Sequence, residues 1–231
     1  MMQYLNSELG LNITPYQYTG GVQCDPHGLD GSDNSHYSTG NGRVAFGEGG
    51  VDDAEDADVI IHELGHGLHD WVTAGGLSRV NGLSEGIGDF LASSYSRKLD
   101  NEIPLWTSAD PEFHWMFSWD GHNEYWNGRL NNVTRIYPDD LVGQVHTDGE
   151  LWSSTMMQIW NDLGRDKTER AHWEGLRMTG PSTNQEQTAQ AVLDAAVMLE
   201  YSAVDIQTML THFLNRGYNV SANAILADGF E

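Results

Sequence analysis

Apolar residues recur at helical spacing in two adjacent stretches of the chain. From Asp52 the sequence DDAEDADVIIHELGHGLHDWV opens with acidic residues suited to a helix N-terminus and continues with apolar positions three and four apart, which predicts a helix. A second helix is predicted over about Ser84 to Lys98, where Ile87, Leu91 and Tyr95 recur at four-residue steps. A third is predicted from about Asp148 to Leu163, and two more near 186–200 and 203–216, the last capped by Ser202 and stopped by Gly217. Residues 1–50 have another texture, rich in Gly, Asn, Asp and Tyr with short apolar stretches such as Arg43-Val44-Ala45-Phe46, and read as strands and turns. Residues 100–145 are irregular and aromatic. These elements predict an α+β protein, β-rich at the start and mainly helical after it.

Charge narrows the classes of partner. Thirty-four acidic residues stand against eleven basic ones, for a formal net charge of -23. Such a chain is a poor partner for nucleic acid or an anionic membrane, both polyanions. No apolar run approaches the roughly 20 residues of a membrane-spanning helix. The acidic excess reads first as a solvated surface. Calcium is the sharper alternative, at Asp25, Asp30 and Asp33 or among Asp52, Asp53 and Asp56, because oxygen-rich loops suit it. The single Cys24 excludes an intramolecular disulfide, which leaves packing and metal to stabilise the fold. The N-terminus shows no basic segment followed by an apolar one, so no signal peptide is visible, which is compatible with a chain trimmed of its signal and pro-segment.

Candidate chemistry lies on the first two helices. His62-Glu63-Leu64-Gly65-His66 is an HExxH pattern. On a helix its histidines are about 40° apart round the axis and roughly 6 Å apart along it, so both imidazoles can reach one metal ion. Glu63 is rotated about 100° from His62, which lets it lie beside the metal and polarise a water without ligating. Catalytic zinc needs three protein ligands and one open position, and Glu85 on the next helix, beyond a turn containing Gly75, Gly76 and Gly82, is the third candidate. Asp89 shares its face and is placed to accept the second ring proton of His62. His69 lies on the same stripe but too far along the axis to share the ion, and reads as structural or as part of the cleft wall. His146, ahead of the third helix, is a candidate donor to the oxyanion of an amide hydrolysis; an isolated loop histidine is otherwise an ordinary surface residue. The aromatics from Trp106 to Trp126 read first as local core under a long loop, with a groove lining as the alternative.

Three blocks together, VIIHELGHGLHD, GLSEGIGDFLA and VHTDGELWSSTMMQIWNDL, resemble those of the thermolysin-type gluzincins and most closely those of the fungalysin family of secreted metallopeptidases. The resemblance implies a thermolysin-like single catalytic domain over residues 1–231. Its β-rich lobe would run over about 1–75 and its helical lobe over about 76–231, with the active-site helix between them. It implies His62, His66 and Glu85 as zinc ligands, Glu63 as base and proton shuttle, Asp89 as the residue orienting a ligand and His146 as the transition-state donor. Asp33-Asn34-Ser35-His36-Tyr37 resembles the edge strand that pairs an extended substrate, which makes Asn34 and Ser35 substrate-binding. The pattern also departs from the family. Eighteen residues separate His66 from Glu85, one fewer than in thermolysin, and Leu77 stands where a second oxyanion-binding Tyr would be. Asp139 and Asp140 are the nearest carboxylates to orient His146.

The expected function is zinc-dependent endopeptidase action on peptide or protein substrates by a secreted or extracellular enzyme, with a pro-segment in the full-length precursor. A gluzincin aminopeptidase is the first rival, although the G-x-M-E-N motif of those enzymes is missing. The second is a catalytically silent zinc-binding domain, against which the intact Glu63 and His146 speak.

Overall fold

The computed structural model describes residues 1–103 and 105–222, so the last nine residues of the expected helical lobe lie outside the described part. Its secondary structure is mixed α and β, dominated by helices. Strands β1 (Cys24–Asp25), β2 (Ser35–Ser38) and β3 (Arg43–Phe46) form one small sheet in the order β1-β3-β2. β1 runs parallel to β3 and β2 antiparallel to it, pairing Ser35 with Phe46 and Ser38 with Arg43, which leaves β2 at an edge. Helices follow: α1 (Ala57–Val72), α2 (Leu83–Glu102), α3 (Val145–Leu163), α4 (Arg165–Leu176), α5 (Gln185–Met198) and α6 (Ala203–Asn215). Between α2 and α3 the two-residue strands β4 (Trp115–Met116) and β5 (Arg129–Leu130) pair antiparallel.

The strands are shorter than a β-rich lobe would need. Gly42 takes positive φ in the turn between β2 and β3 and limits both strands there. The opening is a π-helical turn, Tyr4–Glu8, whose Leu5 enters the core. Downstream, α1 and α2 lie where periodicity predicts them and run a little longer than expected at α2. α3 begins at Val145, ahead of the expected Asp148, so His146 sits in the first turn of a helix and not in the loop before it.

α1 is set by its start. The Asp56 side chain caps it, accepting from the Asp58 N–H at 2.7 Å with one oxygen. Its other oxygen accepts from the N–H groups of Trp119 and Asp120 at 3.0 and 2.8 Å, which ties the long aromatic loop to the helix. Val59, Ile61, Leu64, Leu68 and Trp71 are all buried against α2 and the small sheet. Glycines let the helices come unusually close. A Cβ on Gly65 would sit 2.7 Å from the Gly88 Cα, and one on Gly149 would sit 2.7 Å from the Gly86 N, so α1, α2 and α3 meet backbone to backbone. A helical glycine costs about 1 kcal/mol relative to alanine. Here it draws three helices to one point, beside His62, Glu85 and His146.

Candidate active site

Side chains from α1, α2 and α3 converge on the floor of a cleft of about 770 Å³, within the usual size range of ligand sites. His62 is 5% exposed. Its Nδ1 lies 2.8 Å from Asp89 Oδ1 on α2, which makes Nδ1 the proton-bearing nitrogen and turns Nε2 toward the cleft. His66 has a different partner, its Nδ1 lying 2.8 Å from the Ser84 hydroxyl, which can donate or accept. Both Nε2 atoms face one carboxylate, at 3.3 Å from Glu85 Oε2 for His62 and 3.7 Å from Glu85 Oε1 for His66. The ligand atoms of His62, Glu63 and His66 also lie within 4.8 Å of one another.

Glu63 is buried. Its Oε1 accepts from Ser35 Oγ on β2 at 3.0 Å, while Oε2 is buried with no hydrogen-bond partner among the described residues. Asn34 and Ser35 both line the cleft, beside the free edge of the sheet. His146 is about half exposed, with Nε2 3.4 Å from Glu85 Oε2. Its tautomer follows from Gln144, the cap of α3. The Gln144 Oε1 accepts from the Thr147 backbone N–H at 2.6 Å, so its amide nitrogen faces His146 Nδ1 at 2.9 Å and donates to it. Nδ1 is therefore an acceptor and Nε2 carries the proton toward the cleft. Asp139 and Asp140 do not take this orienting place: Asp140 accepts instead from the Ile136 N–H.

Arg129 on β5 is the residue that sequence reasoning missed. Its Nη2 and Nε reach Asp89 Oδ1 and Oδ2 at 2.7 and 2.9 Å, a bidentate pair with a fully buried carboxylate, and its guanidinium covers the Phe117 ring at 4.5 Å. The partners are 40 positions apart in sequence, so no local pattern joins them. A signal existed in composition, since a basic residue amid the aromatic loop is conspicuous in a chain with eleven in all.

This network fixes charges. Burial alone would push the Asp89 carboxyl up, but Arg129 and His62 outweigh it and hold it below the ordinary value. Burial likewise disfavours an ionised Glu85, yet His66, His62 and His146 hold it well below the carboxylate range. On His62, burial opposes the charge, and the hydrogen bonds the ring makes to the Asp89 and Glu85 carboxylates overcome it, raising the ring to about 10. His66, without a carboxylate on Nδ1, is lowered by burial.

Other expected positions fall as follows. His69 is fully buried, accepts from the Ser78 N–H at 3.4 Å through Nε2 and is not part of the cleft lining, which leaves the structural reading of the two. Leu77 lines the cleft. The aromatic stretch divides: Phe117, Tyr125 and Trp126 line the cleft, so the reading of the whole stretch as local core is corrected. Neither expected calcium trio gathers its carboxylates; Asp52 and Asp56 are occupied as helix caps, and the aspartates that do come together are Asp33, Asp53 and Asp120.

Comparison with known proteins gives one consistent description. No family model matches the chain. It is 24% identical over 164 residues to the extracellular metalloproteinase mep of Aspergillus terreus, covering 64% of this chain and 24% of that protein. It is 26% identical over 161 residues to extracellular metalloproteinase 2 of Phaeosphaeria nodorum, covering 63% and 24%. It is 26% identical over 163 residues to the extracellular metalloproteinase MEP of Leptosphaeria maculans, covering 64% and 25%. The chain spans about a quarter of the length of these curated relatives. All three of these relatives are named extracellular metalloproteinases, and no described helix is long and apolar enough to cross a membrane.

Proposed function

We propose that this chain is a secreted zinc-dependent endopeptidase domain of the thermolysin-like, fungalysin-related kind, with His62, His66 and Glu85 as zinc ligands and Glu63 as general base. The observation that carries this reading is the convergence of two histidine Nε2 atoms on the Glu85 carboxylate, with both Nδ1 atoms already committed to Asp89 and Ser84. Two imidazole nitrogens and one carboxylate oxygen are a donor set suited to catalytic zinc with a fourth position open. Glu63 also comes close to the histidines, but Ser35 engages its Oε1 and Oε2 remains unpartnered, which fits a base better than a ligand.

Zinc held there would lower the pKa of a water molecule toward neutrality and polarise the peptide carbonyl. Everything else is done by the chain. Glu63 takes a proton from the attacking water through its unpartnered oxygen and passes it to the leaving amine. His146, its Nε2 proton directed to the cleft by Gln144, donates a hydrogen bond to the oxyanion that forms at the carbonyl. Asp89, clamped by Arg129, keeps the His62 ring in register. The free edge of β2 offers main-chain groups beside Asn34 and Ser35 to an extended peptide.

The test is metal stoichiometry with hydrolysis of an internally quenched peptide blocked at both ends. One zinc per chain, with cleavage lost on chelation and restored by zinc, is the expected result. Cleavage only of a peptide with a free amino terminus would make the enzyme an aminopeptidase, and absence of zinc would remove the ligand assignment.

A further inference from the structure

The same cleft carries charge that the hydrolytic chemistry does not use. Asp33 precedes the edge strand β2, Asp53 lies in the turn ahead of α1, and Asp120 lies in the loop between β4 and β5. Their carboxylate oxygens come within 4.8 Å of one another, and all three line the cleft. Asp53 is 3% and Asp120 7% exposed. Among the described residues no cation and no hydrogen-bond donor meets the Asp120 carboxylate; burial first, then Asp33 and Asp56, push it up to about 6. Asp53 is pushed up to about 7 by burial and by Asp120 and Asp33, opposed by one backbone N–H, that of Gly47. Two arginines line the cleft: Arg129 is already paired with Asp89, and neither it nor Arg79 is among the groups that act on Asp53 or Asp120.

We propose that Asp33, Asp53 and Asp120 form a subsite that takes the ammonium group of a lysine side chain in the peptide to be cut, an inference that rests on the peptidase reading above. An ammonium has three donors. Charge-assisted hydrogen bonds of 2.7–2.9 Å in tetrahedral directions place their acceptors about 4.4–4.7 Å apart, and the trio's oxygens, all within 4.8 Å of one another, can accept from one such group. The subsite also lies beside the reacting centre: Ser35, two residues beyond Asp33, holds Glu63, and the Glu63 charge acts on Asp53. Tyr125, five residues beyond Asp120, is exposed and in the same cleft lining, and offers apolar surface to the methylene stem of the lysine.

The experiment separates binding from turnover. Glu63→Gln protein is titrated calorimetrically with a blocked hexapeptide bearing one lysine and with its norleucine analogue. Binding of the lysine peptide at least tenfold tighter, with the difference removed by adding Asp120→Asn or Asp53→Asn, is expected; equal binding of the two peptides would overturn the subsite. Asp33→Asn, at an exposed position, gives the same readout if either buried variant does not fold. With otherwise wild-type protein, the ratio of kcat/KM for lysine over norleucine peptides is expected to fall at least tenfold in each variant, and an unchanged ratio contradicts the proposal. Titration with calcium chloride alone is the second arm. Stoichiometric binding that Asp120→Asn abolishes would make the trio a metal site and overturn the lysine assignment. No turnover of any peptide, with the lysine preference in binding intact, would break the peptidase reading and leave the subsite standing.

Discussion

Asp89 and Asp53 are both buried aspartates beside one cleft, and their surroundings push them in opposite directions. Asp89 on α2 faces Arg129 and His62 and is held ionised, below its ordinary value. Asp53, ahead of α1, faces two further carboxylates and is pushed up to about 7. The chain therefore balances one negative charge with its own cations and leaves the other without a cation of its own. Polarity of the first kind holds a side chain in place. Polarity of the second kind weakens the fold and is to be expected where something from outside supplies the missing charge.

Removing one partner from the balanced side should have the largest effect. Asp89→Asn leaves Arg129 buried against a neutral amide and frees the His62 ring, and a loss of about 3–5 kcal/mol in denaturant-induced unfolding is expected. Zinc affinity should drop about 10- to 100-fold in the same variant, measured by competition with a chelator. An Asp89→Asn protein as stable as wild type would show that the network adds no stability.

The unbalanced side should respond with the opposite sign. The folded-state value of Asp53 lies above its unfolded value of 3.8, so the folded state binds the extra proton and stability falls as pH rises from about 4 to about 7. Asp53→Asn removes that loss. It should stabilise the protein at pH 8 by at most about 4 kcal/mol, at 1.36 kcal/mol per pKa unit. The gain should fade as the solution is acidified to pH 4, which thermal melts across that range would follow.

His172 sharpens the contrast from the apolar side. Neither ring nitrogen has a hydrogen-bond partner, and Phe90, Trp152 and Trp173 pack around it. Burial, with a smaller push from His69, drives the ring down to about 3. The unfolded chain binds the proton first, so this histidine costs stability as pH falls below about 6.5. His172→Phe should gain on wild type by about 3 kcal/mol between pH 6.5 and pH 4, a slope opposite in sign to that of Asp53→Asn.

The same division between local and assembled features decides what could be read in advance. α1, α2 and the pairing of His62 with His66 follow from spacing along one helix, and the face shared by Glu85 and Asp89 from the next. α4 did not announce itself, because its buried face carries Thr168, Glu169 and His172 among Ala171, Trp173 and Leu176, and polar residues on the inner face erase the apolar stripe that marks a helix. The strands were overestimated because β-compatible residues in a glycine-rich stretch fix neither the length nor the partner of a strand. Arg129, Ser84 and Gln144 enter through contacts to other elements or through a helix cap, and the acidic trio joins residues 33, 53 and 120. No window of sequence holds those together.

The central claim is that Glu63 moves the proton while the histidines and Glu85 hold the metal. Glu63→Gln keeps the shape of the side chain and removes its basicity. Zinc content and hydrolysis of a doubly blocked peptide, measured on the same preparations of wild type and variant, test the claim most directly. The account predicts one zinc per chain in both proteins and a turnover at least 1,000-fold lower in the variant, of the order expected when a proton-transfer group is lost. Turnover within a few-fold of wild type with zinc still bound would contradict it.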